Sequence, residues 1–284
     1  MLLHRTKLIK VSTSTKPFLK WPGGKYRLID RINKKLNSGK RLVEPFVGSG
    51  AVFLNTNYDR YLLADTNPDL INLYNQLKQD GQNFIDYCHS FFTAENNSES
   101  NFYTFRKLFN STKDVKLKSA LFIYLNRHCY NGLCRYNASN EFNSPFGRYK
   151  KPYFPEKEMQ YFYQEAKKAK FIHACFKDTM KKVKTGDVVY CDPPYTPLSK
   201  TAYFTDYFSG GFSWAEQIEL AKWATRLAKR GIPVIISNHD TDNTRTLYKD
   251  AGAKTEGFQV RRTISCNVKK RNKTGEILAV FQPT

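Results

Sequence analysis

Four short apolar runs punctuate the chain: "RLVEPF" from Arg41, "YLLAD" from Tyr61, "DVVYCD" from Asp187 and "PVIISN" from Pro233. Each leads into a turn or loop. Runs of this length, apolar at successive positions, predict strands buried on both faces, as in a parallel sheet. Between them the apolar period lengthens to that of a helix. In "SWAEQIELAKWATRLAKR", residues 213–230, a stripe joins Ile218, Leu220, Ala221, Ala224, Leu227 and Ala228. Ser213 with Glu216 forms a capping box at its start, and Gly231 then Pro233 stops it. Strands alternating with helices predict an α/β fold with an open, Rossmann-like sheet. Such sheets bind ligands outside the carboxyl ends of their strands.

From Asn67 to about Pro155 the pattern is helical, aromatic and strand-poor, then turn-rich through "YNGLCRYNASNEFNSPFGRYKKPYFP". This predicts an inserted, mostly helical recognition domain with a hairpin over 67–156. The main domain would then comprise 17–66 and 157–284, behind a flexible extension over 1–16. That extension is basic and Ser/Thr-rich and lacks the apolar stretch of a secretory signal.

Charge sharpens the picture. Lys and Arg total 46 against 25 acids, a formal net charge of +21. So much positive charge repels itself, and a polyanion such as nucleic acid is its natural partner. No segment reaches the 18 or so apolar residues of a membrane span, and no basic amphipathic helix is evident. The six cysteines, at 88, 129, 134, 175, 191 and 266, include no CxxC pair. "HCYNGLC" offers His128, Cys129 and Cys134, but no second ligand pair follows at zinc spacing. Reduced cytoplasmic thiols and no metal are the expectation.

Candidate chemistry gathers at the predicted strand ends. "EPFVGSG", 44–50, precedes "AVFL", an expected helix start, and has glycines at Gly48 and Gly50 that allow close backbone approach to a ligand. No GK[ST] follows, so it is not a P-loop. Asp65 closes the next strand, where an acid can accept hydrogen bonds from ribose hydroxyls, although it could instead cap the helix "NPDLINLY". A glycine loop and an acid suggest an adenosine-containing cofactor without pyrophosphate: S-adenosylmethionine fits, and NAD fits less well. "FLKWPGGKY", 18–26, is a rigid turn carrying a cation. "YCDPPYTP", 190–197, follows a strand with an acid, two prolines and an aromatic. The prolines fix two φ angles and remove two donors, so an acid and a ring are held rigidly there. The plain alternative is a proline-terminated turn.

In this order, "FLKWPGGK", "EPFVGSGAVFLN", "LADTNPDLINLYN" and "VVYCDPPY" resemble the Dam-type DNA adenine-N6 methyltransferases, and the likeness continues through "YLNRHCYNGLCRYN", "EFNSPFGRYKKPYFP" and "IPVIISNHDT", nearly the whole chain from Phe18. Some members of the family carry Ala where Pro22 stands, and many have Asp in place of Glu44, a helper carboxylate one methylene longer. The resemblance implies a Rossmann-like S-adenosylmethionine-dependent methyltransferase sheet with an inserted DNA-recognition domain. It further implies methylation of adenine N6 in 5'-GATC-3' duplex DNA by a cytoplasmic monomer, and roles in mismatch repair or replication timing. The catalytic set would be Asp192, Pro193, Pro194 and Tyr195. Asp192 and the Pro193 carbonyl would accept from the amino group of a flipped base, and Tyr195 would stack on it. The cofactor would lie among Trp21, Lys25, Phe46, Gly48, Gly50, Asp65 and Asp192. On DNA, Lys20 would touch the first base pair, and Tyr130 and Asn131 would insert near the flipped base. Leu133 and Pro145 would meet a thymine methyl, Arg135 would read a guanine, and Arg148 and Tyr149 would hold phosphates.

Rival readings remain at this level. N4-cytosine methylation uses the same amino chemistry, but its enzymes more often carry Ser at the position of Asp192. Methylation of protein glutamine or of RNA typically goes with Asn there. A DNA-binding module that has lost catalysis would have let Asp192 and Tyr195 drift. Two further features are open: "SNHD", 237–240, with Asp242 as a metal site or a turn, and the basic stretch from Arg261 to Lys273 as a phosphate-binding or solvated loop. Cys191 neighbours Asp192 on a strand, so it should face the opposite way and serve as core.

Overall fold

The computed structural model describes residues 14–195, 212–261 and 273–283. Its sheet has seven strands: β1 (Arg41–Glu44), β2 (Arg60–Asp65), β3 (Ala169–His173), β4 (Asp187–Cys191), β5 (Val234–His239), β6 (Lys254–Arg261) and β7 (Lys273–Phe281). The order is β3-β2-β1-β4-β5-β7-β6. The first five strands run parallel, and β7 is antiparallel to both its neighbours. From β1 the chain winds outward to β3 on one side, then returns to β4 and winds the other way. The switch point therefore falls between the carboxyl ends of β1 and β4, where an open α/β sheet leaves its binding crevice.

Alternate strand residues feed two cores. Leu42, Tyr190, Ile235 and Leu278 face one layer, which holds α1 (Ile29–Asn33), α2 (Pro68–Asp80), α3 (Gln82–His89), α4 (Glu99–Ser111), α5 (Val115–His128) and α6 (Glu156–Ala166). Val43, Val189, Cys191 and Ile236 face the other, with α7 (Phe176–Met180), α8 (Trp214–Lys229) and α9 (Asp242–Asp250). Cys191 is fully buried there, and burial pushes its thiol up, so it is a core residue. Helix α5 is buried along its whole second half and packs against α2, α3 and α4. After it come a short 3-10 turn, Tyr130–Gly132, and a loop closed by antiparallel bridges Cys129↔Phe146 and Tyr136↔Phe142.

All four strands expected from apolar runs form, and the capping box on Ser213 and Glu216 starts α8. Three details differ. "AVFL" does not open an α-helix; it gives one 3-10 turn, Phe53–Asn55. There Asn55 Nδ2 donates to the Ala51 carbonyl at 2.8 Å and Thr56 Oγ1 to that of Val52 at 3.0 Å, taking acceptors a helix would use. In α8 Gln217 is fully buried, while Ile218 is only partly covered, because Gln217 finds polar partners inside. Strand β3, "AKFIH", carries too little apolar pattern to announce itself.

Of the extension expected over 1–16, residues 1–13 lie outside the described residues. Thr15 N–H donates to Asn55 Oδ1 at 2.7 Å, and Asn55 Nδ2 donates back to its carbonyl at 2.9 Å. The basic stretch also lies outside the described residues, apart from the backbone of Arg261 and Lys273 at the strand ends. Among the described residues no helix is long and apolar enough to cross a membrane.

Candidate active site

At the switch point the ends of β1, β2 and β4 surround a cavity of about 460 Å³, the size of a small-molecule site. Trp21, Lys25, Phe46, Gly48 and Asp65 line it together with Asp192, Pro193, Pro194 and Tyr195. Gly50 stands behind this wall, with φ 74° and its N–H on the Val47 carbonyl at 2.8 Å. Gly48 has φ 47°, and an added Cβ would sit 2.9 Å from Trp21 Nε1, so only glycine lets the indole pack on this loop. The Gly48 N–H donates to Asp65 Oδ2 at 3.0 Å, and the Tyr74 hydroxyl donates to its carbonyl.

Asp65 also accepts from the Asn67 N–H at 3.0 Å, through Oδ1. The cap of α2 is Asn67, whose side chain accepts from Leu70 N–H, so Asp65 is not the helix cap. Burial raises the Asp65 carboxyl, partly offset by those two backbone donors. Glu44, which ends β1, is buried more deeply. Desolvation and the nearby Asp192 push its carboxyl well up, and its Oε1 has no partner among the described residues. Glu44 is a pocket residue that sequence reasoning left as a helper; its place at a strand end beside the glycine loop was the available signal.

Lys25 leaves the turn closed by Gly24 N–H on the Trp21 carbonyl at 3.2 Å. Its Nζ lies 2.9 Å from Asp192 Oδ1, 2.8 Å from the Gly23 carbonyl and 4.5 Å from the centre of the Tyr195 ring. The lysine is 4% exposed and Asp192 is 22% exposed, so the carboxylate opens to the cavity while its cation stays inside. Tyr195 donates its hydroxyl to Glu276 Oε2 at 3.2 Å and packs against the His239 ring at 4.4 Å. Burial, with Asp192 and Glu276 nearby, raises its phenol well above the usual range, so it stays protonated. Among the described residues no group of His, Cys, Asp and Glu side chains is arranged to hold a metal. In "SNHD", Ser237 to His239 end β5, and Asp242 opens α9.

The residues singled out for DNA do not line this cavity; Lys20, Leu133 and Arg135 are chain neighbours of its lining residues Trp21 and Cys134. Asn131 has φ 54°, and its N–H donates to the Tyr149 hydroxyl at 3.0 Å. Lys20 Nζ stands 4.2 Å from the Tyr149 ring. Tyr130 is 43% exposed and donates its N–H to the Pro145 carbonyl at 2.9 Å. The Leu133 carbonyl accepts from the Ser144 hydroxyl. Arg135 is exposed and held along one side by Asn143, with Nε on Oδ1 at 2.7 Å and Nη2 on the carbonyl at 3.1 Å. Arg148, also at positive φ, pairs with Glu99 at 3.2 Å.

Two residues that sequence reasoning missed organise this block. One is Asn143. The other is Asn126 on α5, fully buried, which accepts from Lys20 N–H at 2.9 Å and donates to the Lys20 carbonyl at 2.7 Å. It also reaches the Gly132 carbonyl at 3.3 Å and Cys134 Sγ at 3.4 Å, and Cys134 lines the cavity. One amide thus joins the turn before the pocket to the loop after α5.

Strand order and a cavity at the switch point define a Rossmann-like α/β enzyme of the kind that binds an adenosine-containing group. Residues 21–264 match the family described as D12 class N6 adenine-specific DNA methyltransferase, and the chain belongs to that family. It is 51% identical to the DNA adenine methylase of Serratia marcescens over 266 residues, 93% of this chain and 98% of the relative. To that of Escherichia coli K12 it is 50% identical over 266 residues, 94% and 95% of the two chains. Precorrin-6y C5,15-methyltransferase of Geobacter metallireducens covers 90% of this chain and 88% of its own, with TM-score 0.40 and 10% identity, too weak to argue from.

The protein is therefore an adenine-specific DNA methyltransferase with S-adenosylmethionine as methyl donor. The cavity suits that donor. Its ammonium, ribose hydroxyls and purine amino group are hydrogen-bond donors, and the walls offer the carboxyl groups of Asp65, Asp192 and Glu44 as acceptors.

Proposed function

We propose that the enzyme methylates adenine N6 within 5'-GATC-3' duplexes, with the target base flipped out of the helix into the pocket of Asp192–Tyr195. What supports this most is that Asp192, Pro193 and Tyr195 line the same cavity as Trp21, Phe46 and Asp65, so a base and the methyl donor can meet there. In this reading the donor is held by Trp21 and Phe46 against its rings and by Asp65 at the ribose. When bound, it supplies an electrophilic methyl group.

The chain's part is to make a poor nucleophile competent. The adenine amino lone pair is delocalised into the ring, and two fixed acceptors draw the nitrogen towards tetrahedral geometry. Asp192 and the Pro193 carbonyl are those acceptors, and the paired prolines keep them from relaxing. Tyr195 stacks on the base. Catalysis is then largely positioning.

The recognition segment is 67–156. Asn143 occupies the Nε side of the Arg135 guanidinium, which leaves its Nη1/Nη2 end for guanine O6 and N7. Lys20, Tyr130, Asn131, Leu133 and Pro145 complete base contact, and Arg148 and Tyr149 hold phosphates. GATC follows from the resemblance of the block "YNGLCRYN", and a cytoplasmic setting from the bacterial relatives. The test is transfer of labelled methyl from S-adenosylmethionine to a duplex with one GATC, to one already N6-methylated on both strands, and to one with a changed outer base pair. Label on the first alone is expected; equal label on the third removes GATC, and label on the second removes adenine N6 as the target.

A further inference from the structure

The motif "SNH", 237–239, touches the "DPPY" residues directly through Ser237 and His239, and reaches them through Gln217 from Asn238. Strands β4 and β5 pair with Cys191 opposite Ile236, so the next residues, Asp192 and Ser237, emerge side by side. Ser237 Oγ lies 2.8 Å from Asp192 Oδ1, and the Tyr190 hydroxyl lies 3.0 Å from Ser237 Oγ. A carboxylate only accepts, so the Ser237 hydrogen points at Asp192 and the Tyr190 phenol must donate to Ser237. The serine also approaches the Cys191 carbonyl, at 3.4 Å, a longer contact than that to Asp192. Ser237 and Tyr190 are both fully buried, so water does not compete for this chain of bonds.

One residue on, Asn238 donates through Nδ2 to Gln217 Oε1 at 3.0 Å and to the Tyr248 hydroxyl at 2.8 Å. That fixes the Gln217 amide, whose Nε2 donates to the Pro194 carbonyl at 3.4 Å. His239 then backs the Tyr195 ring. Both bonds to the Asp192 carboxylate described above, from Lys25 and from Ser237, fall on Oδ1.

We propose that Ser237, with Tyr190 behind it, is the positioning residue for Asp192: it holds Oδ1 so that Oδ2 is presented to the adenine amino group. This rests on the proposed role of Asp192 and deepens it. Ser237 touches neither substrate nor donor; it acts through the carboxylate.

The test uses the full chain in single-turnover methylation of a GATC duplex at saturating S-adenosylmethionine, comparing Ser237→Ala, Ser237→Thr, Tyr190→Phe and Asp192→Ala. Ser237→Ala is expected to slow transfer by about 10- to 100-fold, the effect of one hydrogen bond to a charged group. KM for DNA and for the donor should stay within about twofold, since the lost contact orients an acceptor rather than binding a ligand. Ser237→Thr keeps the hydroxyl and should restore the rate, and Tyr190→Phe should cost less than Ser237→Ala. If Asp192→Ala is inactive and Ser237→Ala transfers at the parent rate, the positioning role is wrong and the role of Asp192 stands. A fall in Ser237→Ala that Ser237→Thr does not restore, with a lowered melting temperature, would make the serine merely structural. Full activity in Asp192→Ala would remove the underlying reading itself.

Discussion

The pocket at the switch point and the hairpin beside it are held in opposite ways. In the pocket, Asp192 is fixed by a buried lysine 167 positions earlier in the chain (192 − 25) and by a buried serine on the next strand. In the hairpin, Arg148 is 76% exposed and paired with a half-exposed Glu99, and Arg135 leans on its near neighbour Asn143. An exposed ion pair contributes about 0–1 kcal/mol, so Arg148 can exchange Glu99 for a phosphate at little cost. Chemistry needs groups that do not move, because effective positioning tolerates errors well below 1 Å or so. Recognition needs groups that change partner when DNA arrives. On the proposed roles of the two regions, rigidity and readiness are allotted to different parts of one chain.

Substitutions can break that division or sharpen it. The largest effect is expected for Asp192→Ala: the methyl-transfer rate should drop by about 10³-fold or more, on the scale of losing a preorganised group at a reacting centre. DNA affinity, measured by fluorescence anisotropy, should hardly change, and equal loss of both would erase the division. Asn126→Leu strikes the joint between the regions. It strips partners from the half-buried Lys20 N–H and from the Lys20 and Gly132 carbonyls, so unfolding by urea should show a loss of about 3 kcal/mol. A change under about 0.5 kcal/mol, the scale of an ordinary surface substitution, would mean the joint is slack.

Arg135→Ala should cost about 1–3 kcal/mol of discrimination at one guanine, read from kcat/KM on altered sites, with unfolding unaffected. An unchanged ranking of sites would take Arg135 out of the readout. Arg148→Ala should do least. It should weaken all sequences alike and flatten the slope of log K against log salt by about 0.9, the contribution of one phosphate. A sequence-dependent loss would move Arg148 from the backbone to the bases.

Local chemistry was legible in the sequence. The strands before "EPFVGSG" and "DPPY", the break of pattern near Asn67 and the capped helix α8 all depend on near neighbours or simple periodicity. The residues that line the cavity were legible as separate motifs, and the sheet order is what brings them to one place. Long-range polar partners were not legible. Lys20 and Asn126 are 106 positions apart, and Asp192 and Ser237 are 45 apart. No period links such pairs, and a buried Asn or Ser looks like any turn residue until its partner is known. Gln217 was hidden for the same reason, since a polar residue on an apolar face contradicts the pattern unless Asn238 and Tyr248 are already in view.

The clamp made by Asn126 has a bearing on how specificity could be transplanted. The hairpin after α5 looks like a detachable cassette, closed by two bridges and exposed along much of its length. Its root is nonetheless shared with the cofactor side: Gly132 lies so close to Lys20 that a Cβ would approach to 2.4 Å, and one amide ties both backbones. A graft of residues 129–149 alone would carry the reading edge and leave its seat behind. The exchangeable unit is discontinuous, and it includes the strip from Phe18 to Trp21 and the end of the helix that holds it.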